Sequence, residues 1–228
     1  MTRARMLTEL KEVIDESTVQ NAWAESTLLG YLAEGQDEFC EQTGYFIDFT
    51  NYTIVLATGI AAYAMPERAI QILDIWDGTR RLGKFQEQDR AQLTPNWEPD
   101  ITASQSGRPQ RWQTDRETGS ITFDRIPTAA ENGAIFQLRT WRYSQYALDD
   151  ETAPINPAEP EIPSRFHRAC VEYAAYKALM HHDEEQQDPV KARQHLQAFD
   201  DYVLKGKRAM QRAHGLEVRV GTDSAYRT

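Results

Sequence analysis

The residues most able to do chemistry stand together in EIPSRFHRACVEYAAYKALM, residues 161–180. His167 and Cys170 are three residues apart, so on a helix they share a face and could act as base and nucleophile. A Cys nucleophile, however, needs a base held elsewhere in the fold, an orienting third group and an oxyanion site. Cys170 also falls on an apolar stripe between Phe166 and Tyr173, where burial raises the pKa of a thiol and makes it inert. The sequence therefore predicts a structural role for this pair.

The most metal-like string is HHDEEQQDP, residues 181–189. Adjacent histidines on a helix point about 100° apart, so His181 and His182 would share one metal ion poorly. His181 and Glu185 are four residues apart and could share one, but no third ligand follows at a spacing such as HExxH. A polar turn before Pro189 explains the same residues. A small cytosolic metal-dependent hydrolase that uses His181, His182 and Glu185 is the alternative function from a different class.

Other motifs that carry chemistry are missing from the sequence. It contains no P-loop, GxGxxG, GxSxG or CxxC motif, so the sites that these motifs build are not expected. Two acidic helical segments lack the Glu-x-x-His pattern of a di-metal bundle and are interpreted as solvated faces. Their acids are Glu9, Glu12, Asp15, Glu16, Glu34, Asp37, Glu38 and Glu41. We predict no catalytic residue, no cofactor, no metal ion and no enzymatic activity.

Charge is distributed unevenly along the 228 residues. The chain has 25 basic and 35 acidic residues and a net charge of −10, which argues against general affinity for nucleic acid because phosphates are bound by Lys and Arg. Residues 205–228 have the opposite balance, with six basic and two acidic side chains. An acidic body with a basic end favours an end that docks on an acidic surface. A frayed, solvated end is the other interpretation of the same charges.

Cysteine content and hydropathy limit the location of the protein. The two cysteines, Cys40 and Cys170, stand in apolar helical patterns, and we expect free, buried thiols in a reducing compartment or in a particle assembled there. The first residues are amphipathic and charged, without the apolar core of a signal peptide. No run approaches the ~20 apolar residues of a membrane span. A soluble protein without a membrane partner is predicted.

The elements that must position these residues begin and end with helices. Leu28, Leu32 and Phe39 recur at helical spacing, and Gly44 follows where a left-handed cap ends a helix. We predict an α+β fold in which the N- and C-terminal helices form one helical bundle, interrupted by an inserted antiparallel β domain. The predicted segments are N-terminal helices 1–44, β domain 45–148, acidic Pro-rich connector 149–163, C-terminal helices 164–215 and extended tail 216–228.

The middle of the chain has the texture of short strands. YTIVL, AIQILDIW, SITFDRI and AIFQLRTWRYSQY are rich in β-branched and aromatic residues and partly alternate. Asp77-Gly78 stands between apolar runs and predicts a hairpin. Thr118-Gly119 and Asn132-Gly133 predict two further turns between strands. Residues 85–107, with few periodic apolar side chains, are interpreted as a long loop.

The order of these features resembles that of the head-to-tail adaptor (connector) proteins of tailed bacteriophages. WAESTLLGYLAEGQDEFCEQTG is similar to their opening tryptophan–leucine helix, and AYAMPERAIQILDIWDGTRRL is similar to their strand and Asp-Gly hairpin. SGRPQRWQTDRETGSITFDRIPTAAENGAIFQLRTWRY resembles their later strands, and EIPSRFHRACVEYAAYKALMHHDE resembles the helix that opens their C-terminal part. The resemblance spans most of residues 20–210. This chain departs from the pattern at YLAEG, where an Asn commonly follows the Leu, and in the 85–107 loop.

The resemblance implies a structural protein of the virion neck, assembled in the host cytoplasm. Such adaptors form a homo-oligomeric ring, typically of twelve subunits, beneath the portal of the DNA-filled head. The ring extends the DNA channel, through which DNA passes without sequence-specific binding, and offers an attachment platform to a tail or nozzle protein. A different ring protein of the neck, such as a tail-completion or nozzle component, is the nearer alternative.

The resemblance also implies a docking role for the C-terminal segment, which in these families reaches the portal. Here that segment is the basic tail GLEVRVGTDSAYRT. Apolar side chains would anchor it and cations would pair with the portal. The predicted portal-binding residues are Arg212, Val218, Arg219, Val220, Tyr226 and Arg227.

Overall fold

The computed structural model describes residues 1–14, 23–84, 106–115, 119–145, 159–181 and 188–213. The fold is α+β. Its contacts divide the chain into two compact units, Met1–Tyr45 with Ser144–Thr228, and Phe46–Tyr143. The first unit contains the helices and the second contains the strands. We refer to them below as the helical unit and the β unit.

Four α-helices lie within the described residues: α1 Arg3–Val13, α2 Glu25–Thr43, α3 His167–His181 and α4 Pro189–Ala213, with a 3₁₀ turn Ser164–Phe166 before α3. Local signals fix two of their ends. Gly44 ends α2 with φ 59°, a left-handed conformation that glycine adopts without strain. At the start of α4, the carboxylate of Asp188 accepts a hydrogen bond from the Lys191 N–H at 2.9 Å, as a capping residue does. In the part of the chain described here, no helix combines the length and apolar content that crossing a bilayer requires.

Helix α3 is central in the helical unit and contacts α1, α2 and α4. Two glycines permit close approach between helices. A Cβ atom at Gly35 of α2 would lie 3.0 Å from the carbonyl oxygen of Cys170 in α3. A Cβ atom at Gly206 of α4 would lie 2.7 Å from Cζ of Phe39 in α2. Both distances are too short for ordinary van der Waals contact. The packing of α2 against its neighbours therefore requires residues without a Cβ atom at these two positions.

Replacing Gly35 by Ala is therefore expected to destabilise the helical unit by about 1–2 kcal/mol. The added methyl group meets the backbone of Cys170, which cannot move aside as a flexible side chain would, and overpacking costs about 1–3 kcal/mol. This cost exceeds the ~0.5–1 kcal/mol that Gly→Ala gains in a helix interior. Urea unfolding followed by far-ultraviolet circular dichroism measures the change.

The matched control is Gly30→Ala on the same helix, because a Cβ atom at Gly30 meets no atom within 4 Å. This variant keeps only the gain in helix propensity and is expected to be more stable than the parent by about 0.5–1 kcal/mol. Equal effects of the two substitutions would contradict close packing at Gly35.

Nine strands lie in the described part of the β unit: β1 Phe46–Asp48, β2 Thr53–Val55, β3 Ala62–Ala64, β4 Ala69–Asp77, β5 Arg80–Arg81, β6 Gly83–Lys84, β7 Arg111–Asp115, β8 Ser120–Phe123 and β9 Ile135–Arg142. They form two sheets. The first has the order β1-β9-β4-β5, with β2 also paired to β9, and the second has the order β3-β8-β7-β6. Strands β1 and β2 pair with successive parts of β9.

The predicted turns lie where glycine has positive φ. Gly78, with φ 57°, lies between β4 and β5, and Gly119, with φ 61°, lies directly before β8. Gly133, with φ 82°, precedes β9, but it connects strands of different sheets and forms no hairpin between β8 and β9. The prediction of an antiparallel region needs one correction, because β6 pairs with β7 in parallel. A parallel pair needs a long connection, and 26 residues of sequence separate Lys84 from Arg111.

The core of the β unit lies between faces of both sheets. Along β9 the buried and less buried residues alternate, so one face of the strand points into the core. Aromatic rings meet edge to face there, with the centroids of Phe123 and Phe136 5.5 Å apart. The buried apolar cluster consists of Ile54, Leu56, Ile72, Ile75, Leu82, Trp112, Ile121, Phe123, Phe136 and Leu138.

Candidate interaction surfaces

The histidine of the sequence-predicted pair bonds to backbone atoms. Nε2 of His167 lies 2.7 Å from the carbonyl oxygen of Ile162, and because a carbonyl only accepts, Nε2 carries the proton. Nδ1 then accepts from the amino nitrogen of Met1, which is 2.7 Å away. Burial lowers the pKa of His167, although its hydrogen bond to Ile162 opposes this shift. The ring thus ties the start of α3 to the residues before it and to the start of the chain.

Both thiols lie inside the helical unit. Cys40 and Cys170 form no disulfide with each other, and both are fully buried. Burial raises the pKa of Cys170 to about 12, and it also raises the pKa of Cys40. A thiol in this state is a poor nucleophile because the reactive form is the thiolate. The geometry supports the structural interpretation of His167 and Cys170.

Native protein is accordingly expected to react very slowly with a thiol reagent, although it has two free cysteines. At pH 8 a pKa of about 12 leaves roughly 10⁻⁴ of the thiol as thiolate, and burial blocks the approach of the reagent. Labelling with an aromatic disulfide reagent should therefore give less than about 0.1 equivalent in buffer and two equivalents in denaturant. Rapid labelling of one thiol in the folded chain would contradict this assignment.

The metal-like string falls at the edge of the described residues. The backbone of α3 includes residue 181, and residues 182–187 lie outside the described part, so the geometry of His181, His182 and Glu185 is not tested. Elsewhere in the described chain, no three His, Cys, Asp or Glu side chains stand close enough together to hold a metal ion.

A polar network that the sequence analysis missed connects three helices. Arg168 of α3 donates to Glu9 of α1 at 2.9 Å and to Glu172 of α3 at 2.7 Å. The second oxygen of Glu172 lies 2.6 Å from Nδ1 of His195 in α4. Only the Arg168–Glu172 spacing of four residues is visible in the sequence. The contacts to Glu9 and His195 depend on how the helices pack.

Three cations form a basic stripe on α4, defined here as Lys205, Arg208 and Arg212. Their spacing of three and four residues places them on one face of the helix, opposite the buried residues Phe199 and Met210. All three are exposed, and none makes an ion pair with another described residue. The ammonium group of Lys205 lies 4.8 Å from the ring centroid of Tyr202. Of the predicted portal-binding residues, Arg212 belongs to this stripe, and Val218, Arg219, Val220, Tyr226 and Arg227 lie outside the described residues.

Four acids form an acidic stripe on α2, defined here as Glu34, Asp37, Glu38 and Glu41. They also recur at three- and four-residue spacing, and α2 contains no Lys or Arg. One of them, Glu34, forms a salt bridge of 3.0 Å with Lys177 of α3, and the Glu34 side chain stays 51% exposed. A second, Glu38, accepts a hydrogen bond from the Gln42 side chain at 2.7 Å.

Exposed apolar side chains mark a third surface, on the β unit. Val55 of β2 and Ile135 of β9 are cross-strand partners, and they are 56% and 59% exposed. Phe49, which follows β1, is also exposed and packs edge to face on Trp76. Clustered exposed apolar groups of this kind are typical of contact surfaces.

Comparison with known proteins adds one match. The sequence model of the family described as SU10 adaptor protein matches residues 1–221. Among curated proteins, the comparison finds no match.

Proposed function

Because the chain belongs to the SU10 adaptor protein family, a family of phage head-to-tail adaptors, we propose that it is a structural protein of the virion neck. In this proposal, twelve copies form a ring beneath the portal, extend the DNA channel and present the attachment platform for the tail. The protein is assembled in the host cytoplasm and carries out no catalysis. The family itself is a structural one.

The match over residues 1–221 carries this proposal. It spans both compact units and the first residues of the basic tail. The proposed architecture keeps the N- and C-terminal helices as one bundle, with the β domain 45–148 inserted between them. The connector 149–163 joins the β domain to the C-terminal helices, and the tail 216–228 extends beyond them.

The proposed portal contact is made by the basic tail. Arg212, Arg219 and Arg227 supply positive charge, which pairs with acidic groups on the portal. Val218, Val220 and Tyr226 supply apolar anchors, as the central contacts of interfaces commonly do. Arg212 is exposed near the end of α4, so it is the described residue from which this proposed contact starts.

The net charge suits a channel protein. At −10 per chain, a ring of acidic subunits repels DNA phosphates, and the duplex can slide through without sequence-specific binding. The exposed apolar residues of the β unit provide contact area for neighbouring subunits or for a tail protein.

Negative-stain imaging of the purified chain mixed with its portal tests the function. We expect a twelve-fold ring bound to the tail-facing end of the portal. A ring that binds the tail assembly and leaves the portal bare would favour the tail-completion or nozzle alternative. Stoichiometric metal in the purified chain together with hydrolytic turnover would favour the metal-dependent hydrolase and overturn the proposal.

A further inference from the structure

The acidic stripe of α2 is expected to destabilise the helix in which it lies. Glu34 and Glu38 are four residues apart, as are Asp37 and Glu41, and like charges at this spacing destabilise a helix. The stripe also occupies the C-terminal half of α2, where the helix dipole disfavours negative charge. No basic residue occupies its last turn. Local conflicts of this kind occur where a surface serves another purpose.

The basic stripe of α4 is the complement of the acidic stripe in both sign and spacing. Lys205, Arg208 and Arg212 recur at i, i+3 and i+7, and the acids recur at i, i+3, i+4 and i+7. Each stripe spans about 10 Å along its helix, at 1.5 Å per residue. No acid interrupts α4 between Tyr202 and Ala213. Two helices laid side by side could therefore match a cation to an acid along the whole length of both stripes.

The two stripes cannot pair within one chain. α2 contacts α4 through Phe39 and Thr43, which face Gly206, and the acidic stripe lies roughly half a helical turn away from these two residues. The basic stripe lies on the side of α4 that is opposite its own buried face. The stripes thus point away from the shared α2–α4 contact in nearly opposite directions, and each can reach its complement only on another copy.

We propose that the acidic stripe of α2 binds the basic stripe of α4 in the neighbouring subunit of the ring. Two different surfaces that meet head to tail make a heterologous interface, which is the type that closes into a ring. This proposal rests on the proposed ring function and names the subunit contact within it. Lys177 already binds Glu34 on one side, and the Glu34 side chain stays 51% exposed. Glu41 is exposed as well, and Asp37 and Glu38 are half-buried, so the neighbour's cations approach the stripe from its solvent side. Arg212 is shared with the proposed portal contact, and Arg208 is therefore the central cation for a test.

The test is a double substitution, Glu38→Cys with Arg208→Cys, treated with a short bis-maleimide crosslinker in the presence of portal. Each introduced cysteine lies near the centre of its stripe. Crosslinking is therefore expected whether the two helices run parallel or antiparallel. The native thiols are buried and do not compete for the reagent. We expect a ladder of covalent multimers that extends to the full ring.

The matched control pairs Glu38→Cys with Arg193→Cys, an exposed position on α4 about 22 Å from Arg208 along the helix. The control should give at least tenfold less multimer. If rings form on the portal and neither variant crosslinks, or both crosslink equally, the interface is wrong although the adaptor function stands. If the ladder forms but no ring binds the portal, the interface is supported and the proposed function fails.

Charge reversal supplies a second readout that does not depend on cysteine. Arg208→Glu or Glu38→Arg alone should lower the yield of rings on the portal at low salt by at least tenfold, because each places like charges opposite one another. Combining the two substitutions in one chain should restore the yield. Unchanged yield in both single variants, with the fold intact by circular dichroism, would overturn the proposed contact.

Discussion

Deletion of residues 216–228 is expected to abolish binding of the chain to its portal while leaving thermal unfolding unchanged. On our proposal this segment supplies the apolar anchors and two of the cations that contact the portal, and loss of such central contacts removes most of the affinity of an interface. The last described helix ends at Ala213, before the deleted segment begins. Co-sedimentation with portal measures binding, and a thermal melt measures stability.

Two tail variants separate the contributions to this binding. Arg219→Ala with Arg227→Ala should weaken binding and reduce its dependence on salt, because charge pairing is screened by ions. Val218→Ser with Val220→Ser should weaken binding at all salt concentrations. Thr222→Ala with Ser224→Ala, in the same segment, is the control and should bind as the parent does. Full co-assembly of the truncated chain with portal would reject the tail as the docking element.

Substituting Asp48 by Ala is expected to destabilise the β unit by about 3–5 kcal/mol. Asp48 of β1 lies 3.1 Å from Nε of Arg142 on β9, and both side chains are at least 90% buried. Removal of the Asp48 carboxylate takes away the charge partner of the buried Arg142 guanidinium, and breaking a buried ion pair in this way costs about 3–5 kcal/mol. Asp48 also accepts hydrogen bonds from the backbone N–H groups of Thr50 and Asn51, at 2.8 and 3.0 Å, so the turn after β1 loosens as well.

Tryptophan fluorescence in urea measures this change, because four of the five tryptophans fall within Phe46–Tyr143. The control is Asp77→Ala. Asp77 binds Arg108 through two hydrogen bonds of 2.6 and 2.7 Å, but the Arg108 side chain is 56% exposed, and exposed ion pairs contribute only about 0–1 kcal/mol. Similar losses for the two variants would contradict the distinction between a buried and an exposed pair.

The lowered pKa of Asp48 also makes the free energy of unfolding depend on pH. Burial raises the pKa of Asp48, but hydrogen bonds from Asn51 and Thr50 and the charge of Arg142 outweigh it and lower the pKa to about 2. Because the folded-state pKa lies below the unfolded value, the unfolded chain binds the proton first as the pH falls. The stabilisation from Asp48 is therefore complete above about pH 4 and is lost between about pH 4 and pH 2. Asp48→Asn should lack this part of the pH dependence.

Much of the local structure was predictable because short-range rules govern it. The helical spacing of Leu28, Leu32 and Phe39, the cap at Gly44 and the glycine turns at Gly78 and Gly119 depend on backbone sterics and on neighbours a few residues away. These predictions are confirmed by the observed elements. The family was predictable for the same reason, since the order of local signals along the chain is itself the pattern that the family shares.

The contacts of the polar groups were not predictable from the sequence. Glu9, Glu172 and His195 come from three helices, and Asp48 and Arg142 lie 94 residues apart. Their pairing depends on which surfaces pack together, and periodicity within one element does not contain that information. The parallel β6–β7 pair and the division of the strands into two sheets are missed for the same reason, because short turns determine hairpins and long connections leave the pairing open.

By itself, the sequence determined an acidic α+β chain with a basic end and the family to which it belongs, because charge, composition and local periodicity are properties of the chain in any conformation. The tertiary structure decided that His167 binds backbone atoms instead of the Cys170 thiol. It also decided that the acidic and basic stripes face in opposite directions. Both depend on tertiary packing, which fixes which side chains are buried together and which are left for other molecules.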